Sequence, residues 1–362
     1  MKSNRTIHDR RIDGVRPLLT PKELRDELPL SDRMHETVLD GREEVAAVLD
    51  GADDRLLVIA GPCSVHDPVA ALEYARRLAA LAARVSDQLC VVMRVYFEKP
   101  RTTMGWKGLI NDPDMDGSFR VNEGLFAARA LLREVLSLDL PVGCEFLDPI
   151  TPQYIADAVS WGAIGARTSQ SQIHRQLASG LSMPVGFKNS TEGDIQGAVD
   201  SIAASASAQV FPGVTEEGRV AIFSTSGNSD CHLVLRGSAS GPNYDDRSIN
   251  DARARLARAG LPSRVVVDAS HGNSEKDHRR QSLVVTDVAS RLATGERTIA
   301  GLMLESFLIP GRQDITLGRA NELAYGQSVT DACVGWEETV GLVDAMADAV
   351  TRRRERMGVV TA

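Results

Sequence analysis

The sequence predicts a closed (β/α)₈ TIM barrel, an α/β fold, on three observations. From Arg55 onward, short apolar runs alternate with amphipathic segments of helix length. The runs are apolar throughout rather than at every second position, as in parallel strands buried on both faces. Eight such runs are present, the number that closes a barrel of this kind.

The runs occupy 56–60, 91–95, 141–144, 163–166, 184–187, 232–235, 264–268 and 301–304. Amphipathic helices are expected between them at 72–85, 125–136, 195–206, 252–259, 283–292 and 340–350. One segment breaks the alternation: 209–214 and 220–225 read as two strands around Glu216-Glu217-Gly218, a β-hairpin inserted at 209–225 before the sixth barrel strand. Residues 1–50 are Pro-interrupted and then helical in period, an N-terminal arm on a barrel of 51–362. Neither arm nor hairpin is needed to close a barrel, so both are candidates for subunit contact or regulation.

Composition narrows the function. The 362 residues carry 41 Lys and Arg against 49 Asp and Glu, a net charge of −8, which excludes a generally basic nucleic-acid-binding surface. A 43% hydrophobic and 25% charged chain folds around a core. No apolar run is long enough to span a membrane, and the polar N-terminus has no signal core. Five cysteines, an odd count in a long chain, fit a reducing cytoplasm without a disulfide framework.

Active-site groups of such barrels sit at the C-terminal ends of the strands. Here all eight ends bear a reactive group: Cys63, Arg94, Glu145, Arg167, Lys188, Arg236, His271 and Glu305. Any one alone reads as an ordinary strand terminus, but Lys, Arg and Glu are rarely buried without a purpose or a partner. Cys63, His271 and Glu305 are a soft, a borderline and a hard ligand. With Asp331 as the fourth, they suit one divalent ion of the Mn, Fe, Co or Zn type rather than Mg. Arg94, Lys99, Arg101, Arg167, Lys188 and Arg236 form a cationic set for phosphate and carboxylate groups, some pairing with Glu145, Asp148 or Asp268.

These residues lie in motifs that resemble the type I 3-deoxy-D-arabino-heptulosonate 7-phosphate (DAHP) synthases. They are Gly61-Pro62-Cys63-Ser64-Val65-His66-Asp67-Pro68, the segment from Met93 to Thr102, Gly165-Ala166-Arg167-Thr168, Gly186-Phe187-Lys188-Asn189, Leu235-Arg236-Gly237, Ser270-His271-Gly272-Asn273 and the segment from Ser328 to Cys333. The likeness runs from about Asp53 to the C-terminus. It implies 3-deoxy-7-phosphoheptulonate synthase activity: condensation of phosphoenolpyruvate with erythrose 4-phosphate and water to give DAHP and phosphate, the entry step of the shikimate pathway. It assigns Cys63, His271, Glu305 and Asp331 to the metal and Arg94, Lys99, Glu145, Ala166, Arg167, Lys188, Arg236 and Asp331 to substrate. The segment Lys99-Pro100-Arg101-Thr102 is assigned to erythrose 4-phosphate. Lys99, Glu145, Lys188 and His271 carry the chemistry, with Glu145 a candidate base for the water.

The resemblance further implies a homodimer or homotetramer in which hairpin and arm form a pocket for an aromatic amino acid. Gln153, Leu177, Leu181, Ser182, Phe211, Gly213 and Phe223 match its positions. A Phe-sensitive pattern carries Ser in place of Gly213 and a smaller side chain in place of Phe223, so a changed effector or weak inhibition is expected. Alternative readings are an arabinose 5-phosphate-using octulosonate synthase, a DAHP synthase paralogue of a specialised-metabolite cluster, and a non-catalytic regulatory paralogue. The Lys99–Thr102 segment, arm and hairpin argue against the first, and the full ligand and cation set against the last.

Overall fold

The structure, a computed structural model, describes residues 8–100 and 105–358. It opens with α1 (Pro21–Glu27) and α2 (Asp32–Asp50), then runs β1 (Leu56–Gly61), α3 (Pro68–Arg84), β2 (Leu89–Arg94), α4 (Val121–Leu136) and β3 (Val142–Glu145). There follow a short α5 (Pro152–Ile155), β4 (Trp161–Ile164), α6 (Gln172–Gly180), β5 (Val185–Lys188) and α7 (Gln196–Ser205). The hairpin is β6 (Val210–Val214) with β7 (Val220–Ser224). The chain ends with β8 (His232–Leu235), α8 (Asp246–Arg258), β9 (Val265–Asp268), α9 (Gln281–Ala293), β10 (Ile299–Glu305), β11 (Ile309–Arg312), β12 (Gln327–Ser328) and α10 (Trp336–Arg356).

Eight parallel strands close in the order β1-β10-β9-β8-β5-β4-β3-β2, so the chain is a (β/α)₈ barrel. Strand pleat sorts the side chains. Leu57 and Ile59 of β1, Cys90 and Val92 of β2, Trp161 and Ala163 of β4, Val234, Val266 and Met303 form one buried cluster inside the barrel. The alternate residues, Leu56, Val58 and Ala60 among them, join the larger core under the helices. Trp161 fills the interior because β5 makes room for it: a Cβ on Gly186 would stand 2.7 Å from the indole Cζ2. The indole N–H donates to His232 Nε2 at 3.1 Å, which leaves the proton of this imidazole on Nδ1, 3.1 Å from the Asp230 carbonyl. Burial pulls the His232 pKa down to about 4, so the ring is neutral.

Local chemistry sets the helix ends. Asp67 caps α3 by accepting from the Val69 and Ala70 amides, and Asp245 caps α8 in the same way. Thr20 and Glu23 form a reciprocal capping box on α1. The arm is partly integral to the barrel: Val45, Val48 and Leu49 of α2 belong to the interior cluster, so α2 floors the N-terminal end.

Several boundaries differ from expectation. Helix α3 begins at Pro68 rather than 72, because the Asp67 cap and Pro68 start it before its apolar stripe does. β4 is Trp161–Ile164 rather than 163–166, since a turn closed by the Thr168 amide on the Gly165 carbonyl ends it early. Arg167 therefore sits in that turn, three residues past the strand. Likewise the last residue of β9 is Asp268, and His271 follows in the loop. Helix α6 was not anticipated; it is polar at most positions and buries only His174, Ala178 and Ser179.

The hairpin pairs antiparallel with Pro212 opposite Ile222, apart from the barrel sheet. Its tip meets the arm of the same chain: the Lys22 amide donates to the Glu216 carbonyl at 2.8 Å, and Arg25 pairs with the Glu216 carboxylate at 2.6 Å.

Candidate active site

The inward pleat of β2, β3, β5, β8, β9 and β10 continues past the apolar layer. It brings Arg94, Glu145, Lys188, Arg236, Asp268 and Glu305 to the C-terminal mouth, all buried. Together with Lys99, Pro100, Ala166, Arg167, His271 and Asp331, all of these but Asp268 line one cavity of about 960 Å³. Arg101 and Thr102 lie outside the described residues.

On one wall, ligand atoms of Cys63, Glu305 and Asp331 lie within 4.8 Å of one another. His271 stands beside rather than within this group, with Nε2 3.5 Å from Glu305 Oε1. Its other ring nitrogen, Nδ1, is 3.0 Å from Asp268 Oδ2. The residue sits at φ 56°, a left-handed conformation held by the Lys276 amide on its carbonyl at 2.7 Å. Lys99 reaches into the same wall, 3.4 Å from Asp331 and 3.7 Å from Glu305. These neighbours act on the carboxylates. Lys99 and His271 hold Asp331 well below the usual carboxylate range against its burial. Burial opposes ionisation of Glu305, yet His271, Lys99 and Arg94 lower its pKa.

The donor set fits a divalent transition ion: a thiol and two carboxylates converge with an imidazole beside them, and a carboxylate lies behind that imidazole as it does behind metal-bound histidines. Behind it, Cys333 Sγ accepts from the Cys63 amide at 3.4 Å.

The opposite wall is cationic. Arg94 is fully buried: Nε donates to the Pro62 carbonyl and Nη2 to the Cys63 carbonyl, both at 3.1 Å, and Nη2 also pairs with Glu305 at 2.9 Å. Lys188 pairs with Asp268 at 2.8 Å. Burial opposes ionisation of Asp268, but Lys188 and His271 hold its pKa far below the usual range. Burial lowers the Arg236 pKa. The Arg236 amide donates to Asn189 Oδ1 at 2.9 Å, and its carbonyl accepts from the Gly272 amide at 2.9 Å, tying the loops after β5, β8 and β9 together. Gln281 spans the next pair of loops, donating to the Glu305 carbonyl and accepting from the Ser270 hydroxyl and the Glu305 amide. Sequence reasoning missed Asn189, Asn273 and Gln281 as supports. Asp268 it held only as a partner for a cation. The detectable signal was that Asp268 ends an apolar run in the inward phase.

Of the regulatory set, Phe211 and Phe223 stack across the hairpin with ring centroids 6.1 Å apart and planes at 14°. Gly213 lies beneath: a Cβ there would stand 2.7 Å from the Phe223 ring. Leu177 is on α6 and Leu181 and Ser182 follow it; this end of α6 reaches the hairpin base through Ser179 and Thr225, 2.8 Å apart. Gln153 is on α5, away from the strands. Its neighbour Tyr154 donates to the Leu19 carbonyl at 2.6 Å, so arm residues 19–25 bridge α5 and the hairpin tip.

A parallel barrel with a cation-lined cavity at its catalytic mouth, beside a thiol–carboxylate–imidazole cluster, defines an enzyme for small anionic substrates. Residues 32–343 match the DAHP synthetase I family, and the chain belongs to that family, the DAHP synthases of aromatic amino acid biosynthesis. The chain is 52% identical over 346 residues to the Phe-sensitive phospho-2-dehydro-3-deoxyheptonate aldolase of Escherichia coli K12, covering 96% of this chain and 98% of that protein. It is 51% identical over 326 residues to the Tyr-sensitive enzyme of the same organism, covering 90% and 91%. A solved phospho-2-dehydro-3-deoxyheptonate aldolase from Francisella tularensis SCHU S4 superposes with a TM-score of 0.92 at 47% identity, over 95% of this chain and 99% of that one.

Proposed function

We propose that the chain condenses phosphoenolpyruvate with erythrose 4-phosphate and water, giving DAHP and inorganic phosphate, in a reaction dependent on one divalent metal ion of the Mn, Fe, Co or Zn type. The observation that carries this reading is the meeting of Arg94, Lys99, Arg167, Lys188 and Arg236 with Glu305 and Asp331 in one cavity, with the buried Cys63 thiol within 4.8 Å of both carboxylates.

Cys63, His271, Glu305 and Asp331 would hold the ion, which when bound supplies Lewis acidity toward the aldehyde carbonyl. Arg94, Arg167, Lys188 and Arg236 hold the phosphate and carboxylate of phosphoenolpyruvate, with Ala166 on the cavity wall. Lys99 and Pro100, followed by Arg101 and Thr102, take the phosphate of the acceptor. Two anionic substrates repel each other, and the cations offset that repulsion while fixing the enol carbon against the aldehyde. The C2–C3 π pair of phosphoenolpyruvate forms the new bond from C3 to the aldehyde carbon, whose C–O π pair moves onto oxygen. Water bonds to the electron-poor C2, and the proton that Glu145 accepts from it balances the one taken up by the new alkoxide. The C2–O bond to phosphate then breaks with its electron pair on phosphate, which carries off the C2 hydroxyl proton as the ketone forms. Lys188, held by Asp268, stays a fixed cation beside the developing charge.

The same reading covers assembly and control. Arm and hairpin form the regulatory unit of a homodimer or homotetramer working in the cytoplasm, and the Phe211–Phe223 side of the hairpin faces an aromatic amino acid effector. The names of the Phe-sensitive and Tyr-sensitive relatives support this class of effector. The test follows phosphoenolpyruvate consumption by chelated protein after adding Mn²⁺, with erythrose 4-phosphate and arabinose 5-phosphate in parallel and Cys63→Ala as control. Turnover with erythrose 4-phosphate alone, lost in the control, is expected; metal-independent turnover, or preference for arabinose 5-phosphate, overturns the reading.

A further inference from the structure

We infer that Tyr96 is a positioning residue for Arg94, and that its aromatic face, not its hydroxyl, aims this guanidinium at the phosphoenolpyruvate anion. The inference rests on the proposed role of Arg94 in holding that substrate.

Three observations carry it. Tyr96 is fully buried and belongs to the cluster inside the barrel, two residues beyond Arg94, so both side chains point inward in the same phase. The Arg94 guanidinium carbon lies 3.6 Å from the centroid of the Tyr96 ring, van der Waals contact with the π face. And the in-plane donors of Arg94 are nearly all committed. Nε goes to Pro62, Nη2 to Cys63 and Glu305, and one hydrogen of Nη1 to Met303 Sδ at 3.1 Å.

A guanidinium has five N–H groups. Four therefore meet protein acceptors, and one, on Nη1, remains for the cavity that Arg94 lines. In-plane bonds fix the group's position in its plane, but the plane itself can tilt. The Tyr96 ring removes that freedom. It covers one face of the fully buried cation, so the remaining donor has a single direction.

The Tyr96 hydroxyl has no hydrogen-bond partner among the described residues, although it is buried.

The experiment replaces Tyr96 by Phe and by Leu, and separately installs phenylalanines of increasing ring fluorination at position 96. Full-length variants are measured for phosphoenolpyruvate Kd by calorimetry and for both KM values in the presence of Mn²⁺. Tyr96→Phe is expected to bind phosphoenolpyruvate within about threefold of wild type. Tyr96→Leu is expected to weaken that binding by roughly 10- to 30-fold, the range of a desolvated cation–π contact, with the KM for erythrose 4-phosphate little changed. In the fluorinated series, log Kd should rise steadily as ring electron density falls, a trend that holds even if the Leu variant does not fold. A Phe variant as weak as the Leu variant, equal losses for both substrates, or no trend with fluorination each overturns the inference. Wild-type protein that shows no phosphoenolpyruvate binding instead overturns the role of Arg94, a distinguishable result.

Discussion

His271 Nδ1 stands 3.0 Å from Asp268 Oδ2, and the same oxygen takes the Lys188 ammonium at 2.8 Å. One fully buried carboxylate thus lies against an imidazole beside the ligand cluster and holds a cation on the anion-binding wall. The two halves of the site are coupled through it.

Asp268→Asn therefore tests that coupling. The neutral amide still fills the space but no longer balances Lys188 or backs His271. Metal affinity, measured by competition with a chromophoric chelator, should fall by about 10- to 100-fold, the usual effect of losing the carboxylate behind a metal-bound histidine. Unchanged affinity would place His271 outside the metal site.

Metal binding should also appear as stability. A ligand at 100 times its Kd adds about 2.7 kcal/mol to the folded state. Adding Mn²⁺ to chelated protein should raise Tm by several degrees, and Cys63→Ala should abolish most of that rise. Equal shifts in both proteins would mean that the ion binds elsewhere.

Glu98 makes a pH prediction. Burial, with Asp148 and Glu145 nearby, pushes its carboxyl up to about 7 against an ordinary 4.5, and among the described residues the Thr151 hydroxyl at 3.1 Å opposes this. A raised carboxyl pKa means that the folded state binds the proton more tightly. Its stabilising contribution is full below pH 4.5 and is lost as pH rises through 7, a change on the order of 3 kcal/mol. Glu98→Gln should flatten the denaturation midpoint across this window. A variant with the wild-type pH slope would show that Glu98 ionises normally.

The hairpin makes a local prediction. Gly213→Ala places a methyl against the Phe223 ring, so ring or strand must shift. Hydrogen exchange should quicken over 210–224 while the barrel strands keep their protection, because the hairpin shares no strand pairing with the barrel. Faster exchange throughout would show that the hairpin is part of the barrel's cooperative unit.

Much of this molecule was legible in its sequence, for definite reasons. A strand buried on both faces must be apolar throughout, so the runs at 56–60 and 301–304 predict β1 and β10. A polar group ending such a run has few innocent explanations, and this singled out Arg94, Glu145, Lys188 and Glu305. Helix α6 and the true end of β4 were not legible, because a nine-residue helix shows only Ile173, Leu177 and Ala178 as its apolar stripe and a turn can end a strand before its apolar run does.

Residue types and their periodicity carry the chemical inventory and the barrel, since both are local properties of the chain. The relations among distant residues come from the folded barrel. It seats Asp268 between Lys188 and His271 and lays Arg94 on Tyr96. It sets His271 beside the Cys63–Glu305–Asp331 group, and it makes α2 the floor of the barrel. Those relations depend on strand order and stagger around a closed sheet, which no local pattern of residues encodes.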